Sequence, residues 1–193
     1  MMNKIDKTLI VMSIGTLLIT TPTHAAVLNE SNIVGFDKLN GDMKDRITTG
    51  IKNIPQKILD LHKSRGGKIV FKDEVLDENG NNVSGLYWLS GPDETDIWIN
   101  TGIVDQCNSS YHSEGRTLCH ELGHFIHDVW KPNMSEHDKE LLQSRYKYWS
   151  QYTDTCYDVD ETFAFLYSEY AFNERLTDDE LQLIKSAEES IIE

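Results

Sequence analysis

The sequence predicts a single α+β domain, with helices first, a small mixed sheet next, and helices again to the end. Three observations carry this. Apolar residues recur at helical spacing from Leu39 to Leu61; three short β-like runs follow between Lys68 and Asn100; and after Tyr111 the pattern is helical throughout. With 193 residues the chain can close one hydrophobic core of ordinary size, and no internal repeat, low-complexity tract or linker divides residues 26–193.

The first 25 residues stand apart from that domain. Lys4 and Lys7 make a basic start, "TLIVMSIGTLLIT" from Thr8 is an apolar run, and "PTHAA" closes it with small residues. This is the pattern of a secretory signal cleaved near Ala25 or Ala26. The stretch from Leu9 to Ile19 is too short, and too rich in Ser, Thr and Gly, to span a bilayer comfortably. The expectation is a secreted protein, extracellular or periplasmic according to the cell envelope, with no membrane association in its mature form.

Within residues 26–193, Leu39, Met43, Ile47 and Ile51 mark one helix, and Ile54, Ile58, Leu59 and Leu61 a second after a break near Gly50. Pro55 suits the first turn of the second helix, and "RGG" at Arg65–Gly67 supplies its stop. The strand candidates are "KIVFKDEVL" from Lys68, "VSGLYWL" from Val83 and "TDIWIN" from Thr95, separated by the turn formers "DENGNN" and "SGPDE". A helix follows over "GRTLCHELGHFIHDVW", where Leu118, Leu122, Phe125, Ile126 and Val129 share a face and Gly123 lets another element come close. Ser135 with Asp138, Asp158, and Thr177 with Glu180 then mark the capped starts of three more helices.

The charge balance is 18 Lys plus Arg against 32 Asp plus Glu, a net of −14; without the first 25 residues it is 16 against 31, or −15. So acidic a chain is a poor partner for nucleic acid or an anionic membrane, whose phosphates demand basic patches. Cys107, Cys119 and Cys156 are too few for a disulfide scaffold, and no Cys-x-x-Cys occurs. Cys107 with Cys156 is a conceivable pair, and Cys119 reads as a small buried residue beneath its helix.

That helix carries His-Glu-x-x-His at His120, Glu121 and His124. Histidines four apart lie one above the other on a helix, so both imidazoles can reach one ion. Glu121 points off that pair, where its carboxylate can serve a water as general base instead of ligating. Two neutral imidazoles plus one more protein ligand leave a fourth position for water, whose pKa zinc lowers to about 7. Composition alone gives this pattern in roughly 2% of shuffled sequences, and the apolar face around it lowers the chance further.

The third ligand lies elsewhere. A His six residues beyond the second one, as metzincins have, is replaced here by Trp130, and His127 sits about 10 Å along the axis from His120, too far to share a tetrahedral ion. His112 and His137 read as surface residues. Glu161, in the first turn of "DVDETFAFLYSEY", is the favoured ligand because Phe163, Phe165, Leu166 and Tyr170 can pack that helix into the core. Asp154, in "YTDTCYD", is its competitor: Asp-x-x-Tyr resembles part of the aspzincin signature, without the Gly and Thr that precede it there.

"HELGH", followed 37 residues after His124 by "ETFAF", resembles the gluzincin catalytic domain of anthrax lethal factor and the secreted Pro-Pro endopeptidases of clostridia. The segment "IPQKILDLHKSRGGKIVF" ahead of a short sheet is similar in kind. The resemblance covers most of residues 35–190 in order and motif, and only the two motifs are specific. It implies a zincin-like fold, one Zn2+ on His120, His124 and Glu161, and Glu121 as general base. It also implies a tyrosine seven residues before the glutamate that steadies an oxyanion. That position is Asp154 here, which leaves Tyr152 or Tyr157 for the role according to how the loop runs. Finally, it implies a protein or peptide substrate extended along an edge strand, "TDIWIN", with Trp98 and Asn100 facing it. The expected function is a secreted zinc endopeptidase. The alternative is a secreted zinc-binding or protein-binding module that keeps the scaffold without turnover.

Overall fold

A computed structural model describes residues 28, 30–91, 94–104, 113–154 and 156–192. The expected secretory segment, Cys107 and His112 lie outside these residues. Among them, seven α-helices and one four-stranded mixed sheet make an α+β fold. In chain order these are β1 (Ile33–Val34), α1 (Gly41–Ile51), α2 (Gln56–Ser64), β2 (Ile69–Lys72), β3 (Gly85–Gly91), β4 (Glu94–Asn100), α3 (Thr101–Val104), α4 (Glu114–Trp130), α5 (Glu136–Trp149), α6 (Val159–Ala171) and α7 (Asp178–Ile192).

The sheet order is β1-β2-β4-β3, with β1, β2 and β4 parallel and β3 antiparallel to β4. Side chains alternate across it. Ile69 and Phe71 of β2 and Ile97 and Ile99 of β4 are buried in the core, whereas Trp88 and Trp98 stack on the opposite face, 6.0 Å between ring centroids. The Lys72 ammonium lies 3.5 Å from the Trp98 ring, a cation–π contact on that outer face.

Helix α4 is the centre of the molecule, packed against α1, α6, α7 and the strands β3 and β4. Leu118, Leu122, Phe125 and Ile126 are fully buried, and Cys119 is buried as its position on the helix led one to expect. Ser113 caps the helix by accepting a hydrogen bond from the Arg116 amide at 3.2 Å. Gly123 is required by packing: a Cβ there would stand 2.7 Å from Ala164 Cα, so the backbones of α4 and α6 touch at this point. The expected caps at Ser135 and Thr177 form as well. Ser135 accepts from the Asp138 amide at 3.1 Å, and Thr177 and Glu180 bond each other's backbone amides at 3.3 and 2.8 Å.

The structure differs from the sequence reading in several places. Gly50 lies inside α1 and the break falls at Lys52–Pro55; the glycine is there because a Cβ would come 2.8 Å from the Gly115 carbonyl oxygen on α4. Of "KIVFKDEVL" only Ile69–Lys72 is strand, after which the chain leaves for a turn in which Asp77 accepts from the Asn79 and Asn81 amides at 2.9 and 2.7 Å. The two-residue β1 was not expected. Most consequentially, "TDIWIN" is not an edge: β4 is held between β2 and β3, and β3 is the outermost strand on that side among the described residues. Asn100 is fully buried and bonds the Asn82 side chain, the Val83 carbonyl and the Ile103 amide at 2.7, 2.9 and 3.1 Å, and Trp98 lies on the outer face.

Candidate metal centre

Helix geometry sets the first two donors. His120 and His124 are one turn apart on α4, with ring centroids 4.9 Å apart and planes 82° to each other. The third donor comes from α6, whose first turn is fixed by Asp158: its Oδ1 accepts from the Glu161 amide at 2.8 Å and its carbonyl oxygen from the Thr162 hydroxyl at 2.6 Å. That cap, together with the Gly123–Ala164 contact, carries the Glu161 carboxylate to the imidazoles. Glu161 Oε2 is 3.2 Å from His120 Nε2, Glu161 Oε1 is 3.4 Å from His124 Nε2, and all three donor atoms lie within 4.8 Å of one another.

Two donors each about 2.0–2.1 Å from a tetrahedral ion stand about 3.4 Å apart. The two imidazole–carboxylate separations, made to different oxygens of Glu161, lie close to that value, and two imidazoles with one carboxylate are donors that suit zinc. Two neutral nitrogens and one carboxylate are the ligands of an open zinc site, in which a fourth position stays available.

Electrostatics follow from this convergence. Burial pushes the Glu161 carboxyl upward, but hydrogen bonds to His120 and His124 and the charge of those rings more than offset it, leaving the group well below the usual carboxylate range. Burial pushes His124 downward, and the Glu161 hydrogen bond with the charges of Glu121 and Glu161 turns the net shift upward. Glu121 is buried and its carboxyl is raised chiefly by desolvation, against the nearby imidazoles and a hydrogen bond donated by the Tyr87 amide. It is not among the three converging donors.

The centre opens on a cleft of about 840 Å³, walled by β3 on one side and by α6 on the other, with His120, Glu121, His124, Tyr157 and Glu161 all facing it. Tyr157 donates its hydroxyl to Glu161 Oε1 at 2.8 Å. Burial and the Glu161 carboxylate both push that phenol upward, so it remains a protonated donor near neutral pH. Tyr152 is elsewhere: both tyrosines are exposed, but Tyr152 packs on Tyr148, with ring centroids 5.0 Å apart, and does not line the cleft. Asp154 is exposed and does not line the cleft. His127 is buried with its Nδ1 3.0 Å from Asp160 and its ring stacked on Phe163, while His137 is exposed.

The sequence reading missed Gly85 and Tyr87 on β3, which meet the centre from above. A Cβ on Gly85 would lie 2.6 Å from Glu121 Oε1. The ring of Tyr87 stacks on His124, 6.4 Å between centroids at 10°. Strand alternation puts both on the helix-facing side, but only once the order of the strands is known. No protein-family profile matches this chain, and no curated protein is found similar to it.

Proposed function

We propose that this protein is a zinc-dependent endopeptidase with a zincin-like fold of the gluzincin kind, secreted after loss of about 25 residues. The observation that carries the reading is the convergence of His120, His124 and Glu161 within 4.8 Å, with the buried Glu121 carboxylate beside them rather than among them. A closed structural zinc site, with Asp154 ligating beside Glu161, has no use for that extra carboxylate, and Asp154 does not line the cleft.

His120, His124 and Glu161 would hold the ion. The chemistry that zinc supplies there when bound is Lewis acidity, which makes water nucleophilic near neutral pH and polarises the scissile carbonyl. Glu121 accepts the proton of the attacking water at its carboxylate and returns it to the leaving nitrogen. Tyr157 donates from its hydroxyl to the oxyanion that develops on the carbonyl.

The substrate is a protein or peptide lying extended along β3. Because the Asn100 amide donates to the Ser84 carbonyl, residues 84, 86 and 88 direct their backbone polar groups toward β4, and residues 85 and 87 direct theirs toward the cleft. Gly85 thus offers its amide and carbonyl, and Tyr87 its carbonyl, to an added strand.

The test is incubation of the purified protein with a peptide library, with and without a chelator, alongside Glu121→Ala. Cleavage abolished by both treatments is expected; a zinc-loaded wild-type protein that cleaves no peptide would sink the reading.

A further inference from the structure

We propose that Tyr87 is a positioning residue of the metal centre, holding the base and one imidazole in register from the strand above them. The inference rests on the reading of the centre as a zinc site and, for its effect on turnover, on the peptidase reading.

Three separate contacts tie this one residue to α4. Its backbone amide lies close enough to the Glu121 carboxylate to act against the rise that burial causes there. Its ring lies nearly parallel to the His124 imidazole, at a separation within the usual range for offset stacking. Its hydroxyl donates to Asp128 Oδ2 at 3.2 Å, one turn beyond His124 on the same helix. The amide is available because residue 87 is one of those whose backbone groups face away from β4.

Each contact has a different effect. The phenol–Asp128 bond fixes where the ring sits along α4, and the ring then limits rotation of the His124 imidazole about its own bonds. The amide favours the charged form of the Glu121 carboxylate beside it. Gly85 completes the arrangement by leaving the space that the Glu121 carboxylate fills. Groups that orient a metal ligand or a base in this way, without touching the metal, typically change metal affinity or activity about 10- to 100-fold when removed.

The experiment compares Tyr87→Leu, Tyr87→Phe and Trp88→Leu with wild type in zinc affinity, by chelator competition, and in the visible absorption of the cobalt-substituted protein. Trp88 is the neighbour on the same strand whose side chain faces the opposite side, so its variant reports any general disturbance of β3. Tyr87→Leu is expected to weaken zinc binding at least about tenfold and shift the cobalt bands, Tyr87→Phe to weaken it about threefold, and Trp88→Leu to leave both readings unchanged. On a cleaved peptide, Tyr87→Leu is expected to lower kcat more than it raises KM.

Wild-type zinc affinity and cobalt bands in Tyr87→Leu, or equal weakening by Trp88→Leu, overturn the proposal. Should Tyr87→Leu fail to fold, Tyr87→Phe decides alone, and wild-type affinity with unchanged bands in that variant overturns it. Failure of the peptidase reading shows differently, as a wild-type protein that binds zinc and cleaves nothing.

Discussion

Tyr157 and Glu161 are joined by a 2.8 Å hydrogen bond that ends on Oε1, the same carboxylate oxygen that stands 3.4 Å from His124 Nε2. One oxygen therefore serves a tyrosine and a histidine at once. The tyrosine sits four residues before the glutamate, just ahead of the Asp158 cap that starts α6, and lines the cleft.

From this geometry, Tyr157→Phe is expected to lower kcat about 100-fold, the usual cost of losing one oxyanion donor, with KM changed much less. Tyr152→Phe should leave both constants at wild-type values, since that side chain packs on Tyr148 away from the cleft. Steady-state kinetics on any cleaved peptide checks the pair, and an equal loss in both variants would contradict the assignment.

Glu161→Gln is expected to abolish tight zinc binding, because it removes the anionic ligand and leaves two imidazoles with a neutral amide. Asp154→Asn is expected to bind zinc as wild type does. Equilibrium dialysis followed by metal analysis separates the two, and a reversed order would make Asp154 the ligand.

Gly123→Ala is expected to destabilise the fold by about 1–3 kcal/mol. The new methyl group would meet backbone, Ala164 Cα at 2.7 Å, and backbone in a packed helix pair yields less readily than the end of a flexible side chain. Urea unfolding with an unchanged m-value checks this, since the loss is one of packing and not of compactness.

Glu188 sets a pH dependence of stability. Its carboxyl is pushed up to about 7, first by burial, with help from the neighbouring Glu189 charge, while hydrogen bonds from Tyr167 and Tyr170 act against the rise. The folded state thus holds a proton that the unfolded chain releases near 4.5. Its contribution is fully present below that lower value and is lost as pH rises through about 7, up to about 3 kcal/mol. Glu188→Gln should flatten the fall in Tm between pH 5 and about 7.5 and melt higher than wild type at about pH 8. Parallel melting curves for the two proteins across that range would show that Glu188 is not the group responsible.

Much of the fold could be read along the chain because it is written locally. The caps at Ser135, Asp158 and Thr177 and the apolar face of α4 are features of spacing within a turn or two, and so is the pairing of His120 with His124. Glu161 was also legible, since a carboxylate in the capped first turn of a core-packed helix has few directions open to it.

What escaped is nonlocal. Strand order depends on pairings between distant segments: β3 and β4 form a local hairpin, and "TDIWIN" is an interior strand because the earlier β2 pairs with β4 rather than with β3. The same ignorance hid Tyr87 and Gly85, whose relation to the centre exists only when β3 lies above α4. Which of Tyr152 and Tyr157 lines the cleft turned on the path of the loop that leads into α6, and counting residues does not give that path.

The contact between Gly123 and Ala164 has a further consequence. Gly123 immediately precedes His124, and Ala164 follows Glu161 by nearly one turn, so the touch of two backbones works as the hinge pin of a caliper whose jaws are the imidazole and the carboxylate. The gap those jaws measure is inherited from the thickness of a glycine and an alanine rather than adjusted at the tips. A larger residue at either position would leave all three converging donors in the sequence and still widen the gap between them, so their spacing is kept by two small residues that are not among them.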